Sequence, residues 1–279
     1  MRIGLCNEVL RELDFAAQCA LAKGLGYDGL EIAPFTLAER PGRLSAARRA
    51  ELRRIAEDHG LAITGLHYLL LAPPGLSITS PDAAVRDRTT EVMRALIELC
   101  VDLGGMILVH GSPKQRAIAP DQSRAEALGH ARACFAAIAG EAAAAGVLYC
   151  IEPLAAPDDQ LINTLEEAAA IVEAIGSRAV RTMLDTCAAA RSEAAPIPEL
   201  IDRLLPTGKI AHIHLNDPNR RAPGQGDLRF GPILAALRRH EYPGICTVEP
   251  FVYEPDGPTC AARAIGYVRG LLEGMAALL

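Results

Sequence analysis

Eight short apolar runs alternate with eight longer stretches of helical period along this 279-residue chain. The runs fall at 3–6, 28–32, 61–66, 106–110, 147–152, 180–185, 210–214 and 245–249. Helices are expected over 10–25, from a cap at Ser45 to 59, from Pro81 or Asp82 to 103, over 121–145, from a cap at Thr164 to 176, and over 196–205, 230–240 and 258–279. Strands that alternate with helices make a parallel sheet. Eight such units, at roughly 31 residues each, predict a closed (β/α)8 TIM barrel, an α/β fold spanning 1–279 as one domain. An open, doubly wound sheet is the main structural alternative.

Within that frame, four residues stand at the C-terminal ends of runs five to eight: Glu152, Asp185, His214 and Glu249. The gaps between them are 33, 29 and 35 residues, about one strand–helix unit each. A barrel points all its strand ends at one mouth, where its chemistry sits. Three carboxylates and an imidazole would therefore converge. Like charges at such range cannot all stay ionised without compensation. One divalent cation is the natural compensation, and an oxygen-rich set favours Mn2+, Mg2+ or Co2+. Taken singly, each residue has a plainer reading. The glutamates could be exposed strand-end residues, and Asp185-Thr186 could cap a helix.

Further candidates surround these four. His67 and His110 end runs three and four and are expected to contact substrate. His212 lies two residues before His214 on the same strand face, deeper in the barrel, and reads as a hydrogen-bonded histidine below the mouth. Arg220 precedes the turn Pro223-Gly224-Gln225-Gly226-Asp227 and is placed to hold a substrate oxygen. Phe35, Tyr68 and Phe251 are candidates for an apolar wall over the ligand.

Other chemistries fit poorly. Gly24-Leu25-Gly26-Tyr27-Asp28-Gly29 matches the dinucleotide fingerprint, but it leaves a helix and opens a strand, the reverse of what phosphate binding requires. The only lysines are Lys23, Lys114 and Lys209, and only Lys114 could serve a Schiff-base aldolase. A net charge of −6 and no Trp argue against nucleic acid. No apolar run reaches the roughly 20 residues that span a bilayer. Eight scattered cysteines without a CxxC pair, and an N-terminus that enters a strand at once, lead to an expectation of reduced thiols in a cytoplasmic protein.

The segments Ile151-Glu152-Pro153, Leu184-Asp185-Thr186, His212-Ile213-His214-Leu215-Asn216-Asp217, Asn219-Arg220 and Val248-Glu249-Pro250-Phe251 resemble the xylose isomerase-like TIM barrels. The resemblance is closest to the tagatose/psicose 3-epimerase, inositol isomerase and hydroxypyruvate isomerase group. It implies that Glu152, Asp185, His214 and Glu249 hold a divalent metal. It also implies that Glu152 and Glu249 double as the acid/base pair, and that Arg220 contacts substrate. Two departures touch the substrate side. Ala188 stands where sugar epimerases carry His, and Ala155-Ala156-Pro157-Asp158 stands where they carry Asn-Arg-Phe-Glu, leaving Asp158 as the substrate contact there. The resemblance therefore implies a metal-dependent isomerase or epimerase of a ketose or related polyhydroxy carbonyl compound, working through an enediolate. A dehydratase or decarboxylase of a keto sugar acid on the same metal is the alternative, and a non-catalytic metal- or sugar-binding protein is a third reading. The partners expected are a small-molecule sugar or sugar acid and further copies of the chain in a homo-oligomer, with neither nucleic acid nor membrane.

Overall fold

The computed structural model describes residues 1–156 and 158–276. Eight strands form one closed barrel in sequence order: β1 (Arg2–Cys6), β2 (Gly29–Ile32), β3 (Ala62–Leu66), β4 (Ile107–His110), β5 (Leu148–Ile151), β6 (Val180–Asp185), β7 (Ile210–Leu215) and β8 (Ile245–Val248). Every neighbouring pair is parallel. Closure is made by β1 on β8, from Arg2 opposite Ile245 to Leu5 opposite Val248. The barrel is thus closed, and the open-sheet alternative is excluded.

The helices follow local rules. They are α1 (Phe15–Leu25), α2 (Ala46–Asp58), α3 (Ala83–Leu103), α4 (Arg124–Ala137), α5 (Ala139–Ala145), α6 (Leu165–Ile175), α7 (Thr186–Ser192), α8 (Ile197–Leu204), α9 (Phe230–Arg239) and α10 (Gly257–Ala276). Ser45, Asp82 and Thr164 each accept a backbone N–H at their helix starts, which removes one orphan donor apiece. Gly26 ends α1 in the left-handed region at φ 93°, so the GxGxxG match is a helix stop and turn as expected.

Four boundaries differ from expectation. The first helix begins at Phe15, because Asp14 accepts the Ala17 N–H at 2.8 Å and fixes the start there. Residues Asn7–Leu10 instead form a separate 3-10 turn that buries Glu8. The expected helix over 121–145 starts after Ser123, whose capping box with Glu126 sets the entry, and breaks at Ile138 into α4 and α5. The short α7 is absent from the expected helices, although Asp185-Thr186 is one possible cap for it. The last helix begins at Gly257, and its expected end at 279 lies outside the described residues.

Apolar side chains fill the layer between barrel and helices, among them Leu30, Phe135, Tyr149, Leu184, Phe230 and Leu237. Inside the barrel a smaller cluster of Val109, Cys150 and Met183 supports the floor. All eight cysteines are buried and free. No helix among the described residues is long and apolar enough to cross a membrane.

Close strand approach makes Gly65 costly to replace. A Cβ on Gly65 would lie 2.3 Å from the Ile107 carbonyl oxygen of the paired strand. Gly65→Ala should lower stability by about 1–3 kcal/mol, the usual cost of overpacking. Gly129, inside α4 with open space around it, should behave oppositely, Gly129→Ala gaining about 0.5–1 kcal/mol. Denaturation midpoints of the two variants check both signs.

Candidate active site

Strand ends β5 to β8 deliver the four residues to one point. Glu152 directly follows β5, Asp185 is the last residue of β6, His214 lies near the end of β7, and Glu249 directly follows β8. One donor atom from each lies within 4.8 Å of the other three, and all four residues are buried. Glu152, Asp185 and Glu249 line a cavity of about 370 Å³ at the barrel mouth, a size that suits a small ligand.

Three of the four side chains are pinned by hydrogen bonds to neighbours. His214 Nδ1 lies 2.9 Å from Glu249 Oε2 and 3.9 Å from Glu152 Oε1. Its Nε2 lies 3.0 Å from Glu31 Oε1. Glu31 Oε2 meets His212 Nε2 at 2.7 Å and accepts the Thr247 hydroxyl at 2.8 Å. His212 is therefore the buried, hydrogen-bonded histidine that its position suggested. Asp185 is a helix cap and also one of the four converging residues. Its Oδ1 caps α7 by accepting the Ala188 N–H at 2.6 Å, and its Oδ2 accepts Asn216 Nδ2 at 2.7 Å. Asn216 also donates to the Glu249 carbonyl at 3.1 Å, joining strand ends β6, β7 and β8.

The charges are strongly biased. Burial pushes the Glu152 carboxyl well above its ordinary range, and the Glu249 and Asp185 charges add to it. Burial and Glu249 raise Asp185 to about 6. Burial also acts against ionised Glu249, but His214 and His67 outweigh it and hold that carboxyl at about 2. His214 is buried too, yet Glu249 and Glu31 push it well above the usual imidazole range. One carboxylate is thus fixed as an anion while two crowd beside it and gather protons. A divalent cation would relieve that crowding, so the donor set fits one. In that state His214 Nδ1 would face the ion while Nε2–H donates to Glu31, the common carboxylate support of a ligating histidine.

The two expected histidine contacts are corrected. His67 does not line the cavity. Its ring is fully buried, with Nδ1 2.9 Å from Glu249 Oε1 and Nε2 2.9 Å from Glu8 Oε2, so both nitrogens are already engaged. Burial works against its charge, but Glu8 and Glu249 prevail and raise it to about 10. His110 faces the wrong way. Side chains alternate along a strand, and Val109 points into the barrel, so His110 points out. There it packs on Phe135 of α4 with ring centroids 5.0 Å apart and meets the Tyr149 hydroxyl at 2.9 Å. Burial and the nearby Arg116 charge depress it to about 3. The inward position beside it is Gly111, where a Cβ would fall 1.5 Å from Glu152 Oε2.

Asp158 and Arg220 both line the cavity. Asp158 Oδ2 pairs with Arg191 Nη1 at 2.5 Å. The Arg220 guanidinium lies over the Phe251 ring, 5.0 Å from its centroid. Its backbone is left-handed at φ 68°, held there because its carbonyl accepts the N–H groups of Phe251 and Val252 at 2.8 and 3.0 Å. Tyr68 and Phe251 form the aromatic wall, edge to face at 6.1 Å, with Phe35 standing 6.1 Å from Tyr68. Four supporting residues escaped the sequence reading: Glu8, Glu31, Arg116 and Asn216. Arg116 is fully buried, donating Nη1 to the Glu152 carbonyl at 2.7 Å and pairing Nε with Asp159 at 2.9 Å. Only Glu31 left a signal, a charge between Leu30 and Ile32 within a strand run.

Residues 19–271 match the family model described as the xylose isomerase-like TIM barrel. The chain is 29% identical over 246 residues to the D-psicose 3-epimerase of Enterocloster bolteae, covering 86% of this chain and 78% of that protein. A solved L-ribulose 3-epimerase superposes with a TM-score of 0.82 at 25% identity, over 98% of this chain and 95% of the other. A D-psicose 3-epimerase crystallised in the presence of D-fructose shares the fold, with a TM-score of 0.83 at 23% identity over 98% and 99% of the two chains. With a match that runs from α1 into α10, the chain belongs to the xylose isomerase-like TIM barrel family.

Proposed function

We propose that this protein is a divalent-metal-dependent ketose 3-epimerase, with Glu152, Asp185, His214 and Glu249 holding the ion. The observation that carries this reading is the convergence of those four side chains within 4.8 Å at the mouth of the barrel. Three carboxylates to one imidazole suit Mn2+, Mg2+ or Co2+. The relatives named above act, by their names, as D-psicose and L-ribulose 3-epimerases. That favours return of a proton over loss of water or CO2, and the lyase reading gains nothing from Ala188 alone.

A bound divalent ion would supply Lewis-acid polarisation of a carbonyl and offset charge developing beside it. The chain's own residues handle the proton. Epimerisation removes the hydrogen on the carbon next to the ketose carbonyl, moving its electron pair toward that oxygen, and returns a proton to the opposite face. Glu152 and Glu249 come from β5 and β8, on separate arcs of the barrel, so a ring or chain between them meets one carboxyl per face. Glu249, kept ionised by two imidazoles, takes the proton. Glu152, which burial and the neighbouring carboxylates push toward its protonated form, gives one. Two carboxyls whose environments push them apart are the usual mark of such a division of labour. The aromatic wall of Tyr68 and Phe251 excludes water from the apolar side of the substrate. Arg220 holds one of its oxygens through a rigid guanidinium fork.

Three outcomes test this reading. Purified protein should bind one divalent ion per chain, and its affinity should rise with pH between about 5 and 8. The ion needs deprotonated ligands, and Asp185, at about 6 without a cation, must first lose its proton. Calorimetric titration at several pH values checks this, and an affinity independent of pH would count against the four-ligand site. In heavy water, a ketose turned over by the enzyme should gain deuterium at the epimerised carbon. Glu249→Gln should cut that exchange by at least about 10²-fold, the usual worth of a positioned base, and wild-type exchange in this variant would remove Glu249 from the role. Arg220→Ala should raise KM about tenfold or more while metal content stays at one ion per chain, a loss of binding in which kcat falls only if positioning suffers too.

A further inference from the structure

The cavity has two electrically distinct halves. The deep half holds Glu152, Asp185 and Glu249. The outer half is lined by Lys114, Arg191 and Arg220, with Asp158 as its one carboxylate. Asp158 is already engaged with Arg191. That leaves an excess of positive charge at the mouth of a chain whose net charge is −6.

Two of these cations, Lys114 and Arg220, are not spent on ion pairs of the fold. The chain has three lysines. Lys23 donates to the Gly60 carbonyl at 2.8 Å, and Lys209 pairs with Glu173 at 2.8 Å. Lys114 has no hydrogen-bond or ion-pair partner among the described residues, and it faces the cavity. Arg220 likewise has no carboxylate partner there and rests only on Phe251. Its backbone stays in a region costly for a side chain with a Cβ, which is the kind of strain that persists where surrounding bonds enforce it. Arg191 and Arg220 line the same cavity, with Cys187 among the other lining residues. A neutral hydroxyl needs no cation, whereas a carboxylate or phosphate is matched by guanidinium forks and an ammonium.

We infer that Lys114, Arg191 and Arg220 form an oxyanion subsite at the cavity mouth, and that the substrate is a ketose bearing a carboxylate or phosphate at the end remote from its carbonyl. This rests on the epimerase reading for the carbonyl end of the ligand. Asp158 serves to orient the Arg191 guanidinium, and Leu154, Ala155 and Ala188 add apolar side chains to the same lining. The anionic end is held at the mouth, and the carbonyl end reaches the deep carboxylates. Such attraction is partly exposed to solvent and weakens with salt.

Calorimetry on the metal-loaded protein with three probes decides the matter: D-fructose, D-fructose 6-phosphate and D-fructuronate. At least one of the two anions should bind ten times more tightly than D-fructose, and whichever binds more tightly identifies phosphate or carboxylate. The preference should shrink between 50 mM and 500 mM salt. Lys114→Gln and Arg191→Gln should each reduce the ratio of anionic to neutral affinity at least threefold. Lys114 is exposed, so its variant keeps the test open even where Arg191→Gln disturbs the loop. Equal or tighter binding of D-fructose, or an anion preference untouched by both substitutions, overturns the subsite. Deuterium exchange on all three probes is measured separately. Tight anion binding without exchange would refute the epimerase reading and leave the subsite standing, whereas exchange on D-fructose alone would do the reverse.

Discussion

Mutual repulsion among Glu152, Asp185 and Glu249 governs this molecule. Three carboxyl groups whose donor atoms crowd within 4.8 Å, away from bulk water, do not hold themselves together. The fold imposes that crowding through the backbone, since each group is fixed at a strand end of a closed sheet. The surroundings then divide the burden unevenly. Glu249 receives two imidazoles and remains an anion, whereas Glu152 receives none within hydrogen-bonding distance and is driven toward its neutral form. A symmetrical arrangement would leave two equivalent glutamates. The observed one gives them different proton affinities before any ligand arrives.

The histidines that create this asymmetry are themselves held by buried carboxylates. Glu31 braces His212 and His214, and Glu8 braces His67. Breaking such a pair by removing one partner is far more damaging than the pair's net contribution suggests, because an unmatched charge stays buried. The barrel interior is therefore only partly an apolar core. Val109, Cys150 and Met183 fill one side, and a hydrogen-bonded chain of acids and imidazoles fills the rest.

Much of this was legible in the chain itself. Alternating apolar runs and helical stretches specify the barrel, and regular spacing places Glu152, Asp185, His214 and Glu249 at one rim. Boundaries set by caps were less visible. Asp14 and Ser123 each move a helix start, and α7 is too short to announce itself by period. Parity misled the reading of His110. A histidine at a strand end has even odds of facing in or out, and only the pairing of β4 with β5 shows that Gly111 holds the inward place. His67 faces in, but lies too deep, and its partners Glu8 and Glu249 are 59 and 182 residues away in sequence. Arg116 and Asn216 each join a backbone carbonyl to a carboxylate on another loop or strand end, contacts that no residue spacing encodes.

Barrel loops are often treated as exchangeable parts, each grafted on its own strand. Arg116 breaks that independence here. It sits in the loop after β4, yet its guanidinium reaches the Glu152 carbonyl and Asp159 in the loop after β5. Asp159 in turn accepts the Leu161 and Ile162 N–H groups that shape the approach to α6. The two loops are one mechanical unit. A chimera that imported either from a relative would strand a guanidinium or a carboxylate in the interior. Recombination across this family should therefore find its usable crossover outside the segment from 111 to 163, with both loops inherited together.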